Sequence, residues 1–386
     1  MNYLNLILGT TLALIWLSRV RDAAHGMPTL ADLSQPEWDR RPADGNGVAI
    51  IVPARNEQSS IQAALERLLT LDYRDYRVIA VDDRSSDDTG RLMDEFAASR
   101  PDRLKVIHLR ELPPGWLGKT HAMWVAASQA DTDWLLFTDA DVMFRPDCLR
   151  RALAYAEAES ADHLVILPRV VTSRPGEKMM VSFFHLLFVF GHRPWKVADP
   201  AARDHMGVGA FNLLRRSTYQ AIGTHYALRF EVVDDMKLGK IVKNAGFRQR
   251  VALGDDLIEI RWARGARGVV HNLTKNLFAV LSFQTWRTLL ACAAVAILNL
   301  APFIGAIFAP GWARLPYAAA LACIFSLYAG IWRQLEIHPL YFLLHPVATV
   351  LFIYTLARSM FLTLWRGGVE WRGTRYRLDE LRKGLV

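Results

Sequence analysis

The residues best suited to chemistry are two carboxylates, Asp139 and Asp141, that follow the apolar run Leu135-Leu136-Phe137-Thr138. A short continuous apolar run is the pattern of a buried parallel strand. Ligands of open α/β sheets lie beyond the carboxyl ends of such strands. Two Asp side chains at i and i+2 there are placed to hold a hard divalent cation, Mg2+ or Mn2+. Its other coordination positions would go to water and a diphosphate. A solvated acidic turn is the bland reading of the pair, and its neighbours argue against it. Lys119, in Gly115-Trp116-Leu117-Gly118-Lys119-Thr120, opens a helix that leads to this strand. A lysine at a helix N-terminus contacts a diphosphate as a point charge. Asp82 and Asp83 close an earlier apolar strand, where an open sheet would meet a nucleoside. Gly207 and Gly209 mark a segment whose backbone could approach a substrate. A second acidic pair, Asp234-Asp235, precedes Met236-Lys237-Leu238-Gly239.

The elements that must position these groups alternate. Residues 48–52 form a β-branched run closed by Pro53, the pattern of a buried first strand. A turn follows, and Ser59 or Ser60 caps a helix that reaches Leu69. Strands are expected over 78–81, 104–108 and 164–167, with helices over 89–98 and 149–158. Repeated strand, loop and helix predict an α/β fold with a mostly parallel, Rossmann-like sheet flanked by helices. The dinucleotide fingerprint GxGxxG is absent after the first strand, and the Gly115–Lys119 turn is not a P-loop. Both observations argue against a dehydrogenase or an ordinary P-loop enzyme.

At 386 residues with 52% hydrophobic content and 12 tryptophans, the chain is unusually apolar, yet its net charge is +8. That combination fits a membrane surface and a phosphorylated substrate. No zinc finger or basic repeat points to nucleic acid. The three cysteines are far apart and imply neither a disulfide framework nor a zinc site. Residues 1–20 read as an uncleaved membrane anchor. Arg19 and Arg21 end it, which puts the following domain in the cytoplasm. Residues 21–47 read as a linker. Residues 179–190 are dense in Phe, Leu, Met and Val, and suit a core helix or an interfacial one. Residues 269–285 read as an amphipathic interfacial helix, and 286–365 as a membrane region with spans over 288–308 and 316–332. A third apolar stretch, 339–365, conflicts with a cytoplasmic basic tail over 366–386, because two spans already return the chain inside. It is therefore either re-entrant, split at Pro346 or Arg358, or followed by a tail that breaks the charge rule.

Taken together, Val52-Pro53-Ala54-Arg55-Asn56-Glu57, Val81-Asp82-Asp83-Arg84-Ser85-Ser86-Asp87-Asp88-Thr89, the Gly115–Lys119 turn and Thr138-Asp139-Ala140-Asp141 occur in the order of a known set. In that ordered set, spanning about residues 48–275, the chain resembles membrane-bound family 2 glycosyltransferases of the GT-A fold. It is similar in layout to ceramide glucosyltransferases and to hopanoid- and carotenoid-associated glycosyltransferases. The resemblance implies a catalytic domain over 48–268 that uses a nucleotide-sugar donor, in the first instance a UDP-sugar, with inversion at the anomeric carbon. It implies that Pro53, Ala54, Arg55 and Glu57 line the nucleoside pocket, and that Asp82 or Asp83 binds the nucleoside. Lys119, Asp139 and Ala140 would border the donor, with Asp139 and Asp141 on the metal. Of the pair Asp234 and Asp235, the second matches the family's catalytic base. Processive and lipid-modifying relatives carry QxxRW after the base. Here Arg261-Trp262 are present, but position 258 is isoleucine, which weakens a processive reading. Gly207, Gly209, Arg261 and Trp262 are expected near the acceptor or diphosphate. The tail's Trp371-Arg372-Gly373-Thr374-Arg375-Tyr376 resembles the W-[KR]-G-x-x-Y ending of transferases acting on lipids, and is expected to pack over the rim of the site. The expectation is a multi-pass protein of the cytoplasmic membrane that glycosylates a hydroxyl of a membrane lipid. The competitors are a processive polysaccharide synthase and an inactive membrane scaffold.

Overall fold

In the computed structural model, which describes residues 2–42 and 46–385, the chain forms two compact units. One comprises Leu30–Val170, Pro194–Arg261 and Glu370–Val386. The other comprises Met1–Thr29, Val171–Arg193 and Trp262–Val369.

The first unit is built on an eight-stranded sheet. From one edge its strands are Ala31–Asp32, Gln249–Leu253, His163–Leu167, Asn212–Arg215, Trp134–Phe137, Val48–Ala54, Tyr76–Asp83 and Leu104–Leu109. Neighbours are parallel, except that Asn212–Arg215 runs antiparallel to both of its partners. Burial on both faces explains the unbroken apolar runs. Ile50, Val52, Ala80 and Leu136 pack on one side. Ile51, Ile79, Val81, Leu135 and Phe137 pack on the other. This is the alternation that a period of two requires. Leu135 and Leu136 are fully enclosed, and each such side chain contributes roughly 2 kcal/mol by leaving water.

Register sets the position of the site. Ala54 lies level with Asp82, and Ile51 with Phe137. The loops after all three strands therefore leave the sheet at one edge. Because Asn212 pairs with Phe137 in the antiparallel sense, the segment before Asn212 arrives at that same edge. Asn212 is buried; its Nδ2 donates to the Val208 carbonyl at 2.6 Å and its Oδ1 lies 3.1 Å from His163 Nε2. These bonds hold the glycine segment in place.

The second unit holds the long apolar helices. Asn2–Gly26 packs on Arg314–Leu335, and Thr285–Phe308 packs on both Arg314–Leu335 and His345–Arg366. Helices Pro175–His192 and Gly265–Val280 pack on each other and on His345–Arg366.

Several expected boundaries differ from these. The first helix runs through to Gly26 rather than ending at residue 20. The expected linker carries Ala31–Asp32, which joins the sheet edge beside Gln249–Leu253. Leu33 N–H bonds the Leu253 carbonyl at 3.0 Å, and its side chain is fully buried. That segment is thus structural; residues 43–45 of the expected linker lie outside the described residues. The catalytic domain is not continuous over 48–268, because 171–193 belong to the helical unit and the tail from 370 belongs to the sheet unit. The helix expected over 269–285 spans Gly265–Val280. The stretch 339–365 is not split. A 3-10 turn, Pro339–Leu344, leads into the uninterrupted helix His345–Arg366. Pro346 falls in its first turn, where the missing N–H has no intrahelical partner to lose.

Candidate active site

Four loops meet at the carboxyl edge of the sheet. Asp139 leaves the central strand and its N–H donates to the Gly209 carbonyl at 2.9 Å, while Thr138 Oγ1 donates to the Ala210 carbonyl at 2.8 Å. A Cβ at Gly209 would run into the Asp139 carboxylate, and one at Gly207 into the Asp235 carbonyl. Gly209 therefore lets this segment pass against the Asp139 carboxylate, and Gly207 lets it pass against the Asp235 backbone. These close approaches within the protein require glycine at both positions.

Lys119 is the cationic centre of the cluster. It sits in the first turn of the helix Gly118–Ser128. Its Nζ lies 2.8 Å from Asp139 Oδ1 and 3.5 Å from Asp234 Oδ2. Burial alone would favour the neutral amine, but Asp139, Asp234 and Asp235 outweigh it and raise the lysine pKa above its ordinary value. Asp234 is 5% exposed and opens the helix Asp234–Asn244. Asp235, next in that helix, is partly buried. Desolvation raises its pKa, against the opposing pull of Lys119 and of the Met236 and Gly209 N–H groups that donate to it. Met236 N–H reaches Asp235 Oδ1 at 2.7 Å. A carboxylate with a raised pKa beside a fixed cation is a fit proton acceptor.

Asp141 is open to solvent at its tip but crowded by the cleft. Loss of hydration, and then repulsion from Asp139 and Glu57, push its pKa up to about 6. A divalent cation would relieve that repulsion, so the donor set fits a hard metal. Among the described residues no three His, Cys, Asp or Glu side chains converge as a closed metal cage. Two carboxylates with positions left for water and phosphate oxygens are the arrangement expected of Mg2+-type sites.

The nucleoside side of the cleft is tightly bonded. Asp83, 4% exposed, is held by Arg84 through Nε and Nη2 at 2.7 and 3.0 Å. Asp82 accepts the Ser85 N–H at 3.1 Å and lies 3.1 Å from His108 Nδ1. Asn56 is left-handed at φ 55° and accepts the Ser86 N–H at 2.8 Å, while Glu57 N–H donates to Thr89 Oγ1 at 2.8 Å. Ala54 and Ala140 are core side chains, so only their backbone can face a donor. Pro53 lies level with Val81 in the strand pairing.

Arg261 and Trp262 straddle a boundary between the two units. Arg261 ends a segment of the sheet unit, whereas Trp262 belongs to the helical unit. There the Trp262 ring packs on Phe184 at 4.7 Å between centroids, and its carbonyl accepts Asn272 Nδ2. Three tail residues do reach the cleft loops. Arg55 Nη1 donates to Thr374 Oγ1 at 2.9 Å, Arg372 pairs with Glu57, and the Gly118 N–H donates to Tyr376 Oη at 3.1 Å. Local pattern gives no signal for these pairings beyond the W-R-G-x-x-Y string itself.

Residues 49–223 match the family model described as glycosyl transferase family 2. The chain is 23% identical over 341 residues to the 4,4'-diaponeurosporenoate glycosyltransferase of Staphylococcus aureus strain USA300, covering 86% of this chain and 89% of that one. Its structure is similar to that of the mannosyltransferase PcManGT from Pyrobaculum calidifontis in complex with GDP-Man and Mn2+. The TM-score is 0.58 at 20% identity, over 95% of this chain and 99% of that one. The likeness identifies the sheet unit as a GT-A fold.

Proposed function

Since residues 49–223 make this chain a glycosyltransferase with a family 2 domain, we propose that it transfers one sugar, with inversion, from a nucleotide-sugar to a membrane lipid. The observation that carries the reading is the cluster of Asp139, Asp234 and Asp235 around Lys119. In the reaction the acceptor oxygen attacks the anomeric carbon and the bond to the diphosphate breaks on the opposite face. Asp235 takes the proton of the acceptor hydroxyl as the new C–O bond forms. Lys119 supplies fixed positive charge toward the departing diphosphate. Asp139 and Asp141 would hold a divalent cation, which neutralises charge on the diphosphate. The Mn2+ bound by the mannosyltransferase PcManGT supports that choice of cofactor.

Support for a lipid acceptor comes from the four helices that, among the described residues, are long and apolar enough to cross a membrane. The relative named for diaponeurosporenoate, a carotenoid, adds to it. The tail bonds the same loops as the cleft, so the chain leaves and re-enters the sheet unit on one side of the bilayer. An even number of crossings must then lie between Arg261 and Glu370. On this reading at least one of the three candidate spans after Arg261 does not cross fully. We assign the protein to the cytoplasmic membrane, with the sheet unit in the cytoplasm.

The test is release of nucleoside diphosphate by the purified full chain in detergent. It would be offered a panel of nucleotide sugars with Mn2+ or Mg2+, with and without bacterial lipid extract. Lipid-dependent turnover with a single added sugar supports the proposal. A ladder of products would instead establish a polysaccharide synthase, and turnover without lipid would remove the lipid acceptor.

The metal reading carries its own pH dependence. With the Asp141 pKa raised to about 6, a proton competes with the cation in a range where an ordinary aspartate is already ionised. Mn2+ affinity, followed by calorimetry in the presence of nucleoside diphosphate, is expected to fall as pH drops through about 6 and to level off above it. Asp141→Asn should bind Mn2+ weakly at every pH and lose that step. A flat profile in the wild type would exclude Asp141 as a ligand.

A further inference from the structure

The tip of the C-terminal hairpin breaks a local rule. Strands Gly368–Trp371 and Thr374–Arg377 are joined by Arg372 and Gly373, with φ of 50° and 75°. Two successive left-handed residues make the mirror-image tight turn of hairpins, in which the first position favours Asn, Asp or Gly. An arginine there carries a steric cost of about 1 kcal/mol that asparagine would largely avoid. Its guanidinium has a use that accounts for the choice. Nη1 donates to the Arg55 carbonyl at 3.0 Å, and Nη2 pairs with the Glu57 carboxylate. One strand further on, Thr374 Oγ1 accepts from Arg55. Tyr376, buried at 8% exposure, accepts the N–H of Gly118 at the start of the lysine-bearing helix. After the hairpin the chain seats Leu381 in the interior, and a Cβ at Gly384 would collide with the Phe230 ring. Arg229, the neighbour of Phe230, accepts the Leu117 N–H through its carbonyl at 2.8 Å. The tail thus grips both the loop at Arg55–Glu57 and the turn that presents Lys119.

We propose that Arg372 and Tyr376 are positioning residues of the donor site, holding the nucleoside loop and the Lys119 helix at the spacing a nucleotide-sugar requires. The proposal rests on the donor reading above and adds to it a segment 317 residues from Arg55 and 258 from Gly118 in sequence. Neither residue meets the reacting carbon. Their effect falls on donor binding, in ground state and transition state alike, and so on KM more than on kcat.

Arg372→Asn separates this role from a merely structural one. Asparagine suits the turn, so the thermal midpoint should hold or rise. The KM for the nucleotide-sugar should rise about 10-fold, the effect of losing a charge-assisted hydrogen bond, with kcat changed less than twofold. Arg372→Lys, which keeps the charge but not the fork, should recover part of the loss. Tyr376→Phe should raise the same KM several-fold and leave the acceptor's KM alone. Hydrogen exchange of the ligand-free protein provides a second readout, with faster exchange at residues 55–57 in Arg372→Asn. An active wild type whose KM and loop exchange are unchanged in Arg372→Asn overturns the positioning role and leaves the function intact. A wild type that neither binds nor turns over any nucleotide-sugar overturns both.

Discussion

Asp235→Asn is expected to lower kcat by about 10^3-fold, the range attributed to a positioned general base. The substitution is nearly isosteric. The carboxylate, however, accepts N–H groups from both Met236 and Gly209, and asparagine offers only one oxygen in return. A modest loss of stability is therefore expected with the catalytic one, and binding of nucleoside diphosphate should persist. Thermal denaturation and calorimetric titration of the variant separate these effects from the rate. The outcome also reports on the acceptor. A hydroxyl must shed a proton as the bond forms, so it needs Asp235. A carboxylate acceptor is already ionised at neutral pH and has none to give. A fall of only a few-fold in Asp235→Asn, together with an alkali-labile product, would replace the hydroxyl by a carboxylate and remove the base from the mechanism. A full loss of activity with donor binding retained also excludes an inactive scaffold, which has no turnover to lose.

What could be read from the sequence was what is local or periodic. The strand leading to Asp139 was legible because Leu135, Leu136 and Phe137 are buried in a sheet covered on both faces, and such strands are apolar throughout. The helix carrying Lys119 was legible from its position before such a run. Three features were not legible. The antiparallel insertion of Asn212–Arg215 between two parallel strands leaves no trace in a strand that is buried like its neighbours. The assignment of residues 171–193 to the helical unit depends on what Pro175–His192 packs against, and its apolar composition suits a core or an interface equally. Arg372 meets Glu57 across most of the chain, and no short-range pattern encodes a contact at that separation. The glycines were found, but not the protein groups packed against them. The sequence showed that Gly207 and Gly209 allow a close approach, while the approaching atoms belong to Asp235 and Asp139, a fact of tertiary structure alone.

Lys119→Met is expected to cost at least 10^2-fold in kcat/KM, with a change in pH dependence that tells how the lysine works. Methionine preserves the length of the side chain and removes its charge. Asp234, nearly inaccessible to solvent, would then lose its ion pair with the lysine at 3.5 Å. Breaking a buried pair from one side destabilises far more than the intact pair stabilises, so the thermal midpoint should fall as well. The distinguishing consequence lies at Asp235. Lys119 lowers the pKa of that carboxyl, while burial and Asp139 raise it. Without the lysine the balance moves upward, and a higher pH is needed to ionise the base. The acid limb of kcat/KM should therefore shift toward higher pH in Lys119→Met, and lie close to its wild-type position in Lys119→Arg. If Lys119 acted only on the departing diphosphate, the rate would fall in Lys119→Met with the acid limb unmoved. A shift in the limb would mean that one cation serves both ends of the displacement, holding the base ionised on the acceptor side and meeting negative charge on the donor side. A single central lysine can do both only because the carboxylates of Asp139 and Asp234 fix it between them. The acidic cluster is thus the support of the cation as well as its counter-charge.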